Sequence, residues 1–208
     1  MNSKTLEVFT DFVCPWCYLG ENKLLSAIPD NNLTVQYIYF PLHPDTPVEG
    51  MTLEQLFAGR GLDVARDQEK LGTIMRGEGL CYGSRTHTYN SSRAQILAKY
   101  IESRDNNEGA EHVSQFRAGV FAAYFSRGEN IAEFEVLQGI CHRIGLVDMR
   151  IEQALADSAA VDAVASDWSY CRKLAVTGVP AFRFGEKWVH GFAGVSALAD
   201  LIRVEPTG

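Results

Sequence analysis

The sequence predicts an α/β fold that opens with a βαβ unit, closes with a β-hairpin and a helix, and carries a large all-helical block between the two. Three observations predict it. A strand-like run, Leu6 to Asp11, leads through Cys14-Pro15-Trp16-Cys17 straight into an amphipathic helix. From about Met51 to Leu155 nearly every periodic signal is helical. Near the C-terminus, two short strand-like runs flank Gly185-Glu186.

Taken in order, Leu6-Glu7-Val8-Phe9-Thr10-Asp11 alternates loosely and is rich in strand formers. Leu19, Lys23, Leu24 and Ala27 then recur at helical spacing until Pro29 stops the run. This puts Cys14 at the N-cap and Pro15 at the first helical position, where a fixed φ fits and a missing N–H costs nothing. Leu33 to Phe40 is a second strand, long and apolar enough to be central, broken off by Pro41, Pro44 and Pro47. A short turn at Asp30-Asn31-Asn32 completes a right-handed βαβ unit.

The middle of the chain is a succession of helices. Thr52 caps a short one with Glu54 and Gln55 in its first turn. A charged run follows from Leu62 to Met75, ending around Gly77 and Gly79. Asn90 or Ser91 caps an amphipathic helix bearing Ala94, Ile96, Leu97, Tyr100 and Ile101. Val113, Phe116, Val120, Phe121 and Tyr124 mark another, and Phe134 to Ile144 a further one ended by Gly145. So large a patterned block is an inserted helical domain rather than a loop.

A helix from Ala159 to Leu174 leads back to the core. Ala181 to Phe184 and Lys187 to His190 form the hairpin, and Leu198, Leu201 and Ile202 mark the last helix. A hairpin following a βαβ unit is thioredoxin topology. The expected division is a thioredoxin-like core of residues 1–42 and 159–208, with residues 43–158 as the helical insertion.

The balance of 19 basic against 26 acidic residues gives a net charge of −7. Phosphate binding needs a concentrated basic face, so nucleic acid is not an expected partner. No apolar run reaches membrane-helix length. The first residues pass almost directly into a strand without a signal-peptide core, and five cysteines make an odd count for a disulfide framework. Both features predict a reducing, cytoplasmic setting.

The chemistry is concentrated at the Cys-Pro-Trp-Cys motif. A thiol at a helix N-terminus faces unpaired N–H groups and the positive end of the macrodipole, which favour thiolate. Cys14 is therefore the expected nucleophile, accessible to solvent, and Cys17 the resolving thiol inside the first turn. A Cys-x-x-Cys hook also suits zinc, but zinc needs two more ligands. No second such pair or His-x3-His is present, so no metal is expected. Cys141 and Cys171 lie on apolar helical patterns as small hydrophobes, whereas Cys81 lies in a loop of the insertion. His87 and His190 have no partners in sequence and read as surface or strand packing.

Asp11 to Gly20 resembles the opening of the DsbA family of thioredoxin-fold oxidoreductases. It is most similar to the FrnE-like branch, related to 2-hydroxychromene-2-carboxylate isomerases and kappa-class glutathione transferases. Thr177-Gly178-Val179-Pro180-Ala181-Phe182 resembles the family's cis-proline loop. The resemblance implies a DsbA-like fold and a cis Pro180. Pro15, Trp16, Val179 and Pro180 would then form the substrate-binding surface beside catalytic Cys14 and Cys17. Asp11 stands where the family often has an acid, a candidate proton relay that could equally be a strand-end cap. Asn90-Ser91 resembles an element near the family's cleft, although a helix cap explains Asn90 as well. Gln95 replaces the histidine many relatives carry there. The function implied is thiol–disulfide exchange with client proteins or peptides, with glutathione as redox partner rather than tightly bound cofactor. The alternatives are a glutathione-dependent isomerase or transferase acting on a small aromatic substrate, and a client-holding module without turnover.

Overall fold

The computed structural model describes residues 5–28, 33–104 and 109–203. The chain divides into two compact units, Met1–Leu42 with Asp167–Gly208, and His43–Ser166.

In the first unit, β1 (Thr5–Thr10) is followed by helix α1 (Pro15–Ala27) and strand β2 (Thr34–Tyr39). Strands β1 and β2 pair in parallel from Thr5↔Thr34 to Thr10↔Tyr39. The returning chain adds β5 (Ala181–Phe184) and β6 (Lys187–His190), then helix α9 (Val195–Ile202). The sheet order is β2-β1-β5-β6, with β5 antiparallel to both β1 and β6. The hairpin occupies the residues its pattern predicts, and Gly185, at φ 59°, supplies the left-handed turn conformation.

Strand alternation sends Leu6 and Val8 to one face, where they meet Leu24 and Ala27 of α1, Phe182, and Leu198 and Leu201 of α9. Phe9 goes to the other, against Ile38, Ala181, Val176 and Cys171. Fully burying side chains of this size contributes roughly 1.5–3 kcal/mol each. The same second face holds Glu7, whose carboxylate accepts from Tyr170 Oη at 2.8 Å and pairs with Arg183. Asp167, in the second half of helix α8 (Ser158–Lys173), accepts the Tyr39 N–H at 2.9 Å, and the Cys171 thiol meets Tyr39 O at 3.6 Å. These contacts are why the division between the units falls inside α8.

Strand β2 lies at the sheet edge, not the centre as its apolar length suggests. The reason is in its first half: Thr34 and Gln36 are exposed, alternating with half-buried Val35 and Tyr37, so only Ile38 and Tyr39 are fully covered. The central places go to β1 and β5. The expected stop at Pro29 and the turn at Asp30-Asn31-Asn32 lie outside the described residues.

In the second unit, α2 (Leu53–Leu56) begins with a full capping box. Thr52 Oγ1 accepts from Gln55 N, and Gln55 Oε1 accepts from Thr52 N. Helix α3 (Val64–Gly77) is capped by Asp63. Helices α4 (Ser92–Arg104), α5 (Gly109–Phe121) and α6 (Phe134–Arg143) follow, and α6 ends in left-handed Gly145, at φ 89°. On α4 the structure buries Gln95, its amide donating to Ser91 Oγ at 3.2 Å, while Ile96 is only half-buried. Three features escaped the sequence patterns. They are a two-residue ladder, β3 (Met51–Thr52) with β4 (His87–Thr88); a π-helical turn at Ala122–Ser126; and short helix α7 (Ile151–Leu155). Each is too short to display a period.

Candidate active site

The site is built where β1 ends and α1 begins. Phe12 is fully buried with its ring 5.4 Å from Tyr39, which anchors the turn. Asp11, also buried, tightens it: Oδ1 accepts Val13 N–H and Oδ2 accepts Leu42 N–H, each at 3.0 Å. Its main-chain oxygen accepts the Cys14 N–H at 3.1 Å. Cys14 is the N-cap, with extended φ −91° and ψ 116°, and Pro15 opens the helix. The Cys14 carbonyl accepts the N–H groups of Cys17 at 3.1 Å and Tyr18 at 3.2 Å.

Across from this helix start lies the segment leading into β5. Because Phe9 pairs with Ala181, the two residues before β5 fall level with the end of β1. The Val179–Pro180 peptide is cis, and the Cys14 thiol donates to Val179 O at 3.2 Å. Pro180 is buried and its carbonyl accepts the Gly191 N–H at 2.8 Å. Gly20 makes the approach possible. A Cβ there would stand 3.3 Å from Phe182 Cζ, 3.6 Å from Phe192 Cδ2 and 3.8 Å from Pro180 Cγ. Trp16 stands at the rim, 39 % exposed.

The two sulfurs are in opposite electrostatic situations. The Cys17 thiol hydrogen-bonds the Cys14 sulfur and lowers its pKa, with further help from the backbone N–H groups of Cys17 and Trp16. Burial and the negative charge of Asp11 oppose that shift without reversing it. Cys17 is driven well above the ordinary thiol range, first by burial and then by its donation to Cys14. The expectation of a solvent-accessible nucleophile needs correction: Cys14 is only 4 % exposed, so its hydrogen bonds rather than water favour the thiolate.

The structure thus brings together Cys14, Cys17, Asp11, Pro15, Trp16, Val179 and Pro180. Asn90 belongs to the second unit, and its side chain has structural work. Nδ2 donates to Pro44 O and Thr46 O, and Oδ1 accepts the Ser92 N–H, all at 2.9 Å. That is the helix-start reading. Two polar residues beside Cys17 went unread in the sequence. Thr10 is 1 % exposed and its hydroxyl donates to Glu21 Oε1 at 2.7 Å. The available signal was Glu21 four positions after Cys17, on the same helix face. Cys141 and Cys171 are buried as their patterns predict, and burial pushes both thiols up to about 12. Cys81 is exposed. Among the described residues no cluster of three or more His, Cys, Asp or Glu side chains is placed to hold a metal ion. None of their helices is long and apolar enough to cross a membrane.

Residues 5–203 match the family model of the DSBA-like thioredoxin domain. Protein YwbO of Bacillus subtilis is 24 % identical over 206 residues, covering 96 % of each chain. Among solved structures, the probable DsbA oxidoreductase SCO1869 of Streptomyces coelicolor superposes with a TM-score of 0.80 at 23 % identity. The match covers 95 % of this chain and 88 % of that one. A 2-hydroxychromene-2-carboxylate isomerase gives 0.66 at 22 % identity, over 90 % and 88 % of the two chains. The cytosolic disulfide reductase DsbM of Pseudomonas aeruginosa, solved with glutathione, gives 0.62 at 20 % identity, over 94 % and 92 %.

Proposed function

Since this chain belongs to the DSBA-like thioredoxin family, we propose that it is a thiol–disulfide oxidoreductase in which Cys14 attacks and Cys17 resolves. The observation that carries the reading is the inequality of the two thiols. Cys14 sits at the helix N-cap with its pKa lowered by Cys17 and the first-turn N–H groups, while Cys17 is buried and held protonated. Exchange needs a nucleophile that ionises first and a partner that waits. Pro15, Trp16, Val179 and Pro180 border Cys14 as the docking surface for a disulfide-bearing client. Glutathione serves as a dissociable redox partner in a cytoplasmic setting. The glutathione in the DsbM structure supports that partner by analogy of fold. Isomerisation of a small aromatic substrate would leave Cys17 without a part, and its built position weighs against that alternative.

The test is alkylation of each thiol against pH, with trapping of the intermediate. Wild-type Cys14 reacts through a transition at lower pH than an unperturbed thiol. Cys14→Ser abolishes exchange, and Cys17→Ser accumulates a Cys14 mixed disulfide with a glutathionylated peptide. A Cys17 that titrates below Cys14, or no mixed disulfide in the Cys17→Ser variant, would overturn the assignment.

A further inference from the structure

Within the second unit, helix α3 and the segment after it border a cavity of about 430 Å³, a size that suits a small molecule. Val64, Ala65 and Tyr82 give it apolar walls, and Arg76, Arg85, Glu54 and Glu69 are its charged groups. Arg85 is held there by a built arrangement. Ser126 Oγ donates to Cys81 O at 2.6 Å and Gly83 N–H to Phe125 O at 2.8 Å, which ties the segment to the π-helical turn. The approach is so close that a Cβ on Gly83 would stand 2.6 Å from Ser126 O. The turn presents buried Tyr124 and Phe125, whose ring centres lie 5.4 and 5.6 Å from Arg85 Cζ.

Ring faces attract a cation, but they leave its N–H groups without oxygen acceptors. Arg85 Nε and Nη1 are buried with no hydrogen-bond partner, and neither Glu54 nor Glu69 pairs with the guanidinium. Nη2, which both two-pronged edges of the group share, stays accessible. A second lining residue is in the opposite position: Gln68 Oε1 is a buried acceptor with no donor. Arg76, by contrast, is engaged, its Nη1 donating to Tyr82 O at 3.3 Å. A buried cation without a counter-ion and a buried carbonyl without a donor each cost free energy that a ligand supplying both would recover.

We propose that this cavity binds a free α-amino acid, its carboxylate on Arg85 and its ammonium on Gln68 Oε1, with Glu54 and Glu69 balancing the ammonium charge. The planar fork of a guanidinium matches a carboxylate. Phosphate and sulfate have that acceptor edge too, but two glutamates repel them and Gln68 Oε1 requires a donor. An amine alone leaves Arg85 unmatched. Val64, Ala65 and Tyr82 then face the amino-acid side chain. A purely structural Arg85, packed on Tyr124 and Phe125, would explain neither its unpartnered nitrogens nor Gln68. The site is independent of the thiol chemistry, since every residue in it belongs to the second unit.

Thermal unfolding of the full chain against each proteinogenic L-amino acid tests this, with acetate, methylammonium and phosphate as controls. At least one amino acid should raise the midpoint saturably, and the three controls should not at equal concentration. Calorimetry with that amino acid should then show binding weakened roughly 10- to 100-fold in Arg85→Lys and in Gln68→Leu, the scale of a lost charge-assisted hydrogen bond. Arg85→Lys keeps a cation over the rings and Gln68→Leu keeps the volume, so either decides the matter if the other fails to fold. A third readout is the His43 ring, whose pKa is held down first by burial and then by Arg85 and Arg60. A carboxylate on Arg85 offsets that charge, so by NMR His43 should titrate at higher pH with the amino acid present, and Arg85→Lys should reduce this shift. No midpoint shift with any amino acid, a shift with phosphate as large, or undiminished binding in the variants overturns the site.

Discussion

The Cys14 thiol donates to the main-chain oxygen of Val179 at 3.2 Å although 165 positions separate the two residues. The sheet explains the meeting: β1 and β5 are hydrogen-bonded neighbours, and their Phe9↔Ala181 register delivers Val179 to the end of the first strand. The contact also has an electrostatic sense. A carbonyl oxygen that accepts from the thiol favours the neutral form, whereas the Cys17 thiol and the N–H groups of Trp16 and Cys17 favour the anion. The second set prevails, so Cys14 is poised to ionise but keeps a resting partner when protonated.

Asp11 sets both the shape and the charge of this turn. Asp11→Asn keeps the volume but turns an NH2 group toward one of the two backbone N–H groups the carboxylate now accepts. An unsatisfied buried donor costs about 1–3 kcal/mol, which should appear as a lowered denaturant midpoint at unchanged slope. Removing the negative charge also removes one of the influences that raise the Cys14 pKa. Alkylation of Cys14 should therefore reach its plateau at lower pH than in the wild type. A shift to higher pH would show that Asp11 acts on Cys14 through geometry rather than charge.

How far the site could be read from residues alone depends on how local its cause is. Cys14 at the N-cap and Pro15 at the first helical position follow from four consecutive residues, and the hairpin about Gly185-Glu186 from ten. Val179 and Pro180 needed the family resemblance, because nothing local links them to a motif so distant in sequence. Thr10 was hidden by its strand, where a β-branched residue is expected whatever its hydroxyl does. The burial of Cys14 was missed because a helix N-terminus suggests access to solvent, and what covers a residue is tertiary. Strand β2 was misplaced because Ile38, Tyr39 and Phe40 outweighed the polar alternation of Thr34 and Gln36. Gln95 was passed over for Ile96 because a buried amide is legible only once Ser91 is seen beside it.

Gly20 is a packing requirement rather than a flexibility requirement. In Gly20→Ala the new methyl lies 3.3 Å from the Phe182 ring edge, which must give by a few tenths of an ångström. Helix propensity returns about 0.8–1 kcal/mol, so the net change in stability should be small. Gly20→Val has no such compensation. Its branches are driven toward Phe182, Phe192 and Pro180, an overpacking that costs roughly 1–3 kcal/mol. The valine variant should also slow exchange, because α1 and Pro180 then separate beneath Cys14. Equal exchange rates in the two variants would show that the α1–Pro180 contact does not position the site.

Cys171 gives the first unit a sensitivity to alkali that is independent of the exchanging pair. It is buried between β1, β2 and α8, its thiol near Tyr39 O, and burial raises its pKa from 9.0 to about 12. Below pH 9 the thiol is protonated in folded and unfolded chains alike, and it adds no pH dependence. Between 9 and about 12 the unfolded chain ionises while the folded chain does not, so stability falls as pH rises through that window. Above about 12 both forms ionise and the slope from this group ends. Cys171→Ala creates a small cavity and lowers stability at neutral pH, but it should flatten the decline above pH 9. Thermal unfolding midpoints for wild type and variant from pH 7 to pH 11 check this, and curves that stay parallel across that range would remove Cys171 as the cause.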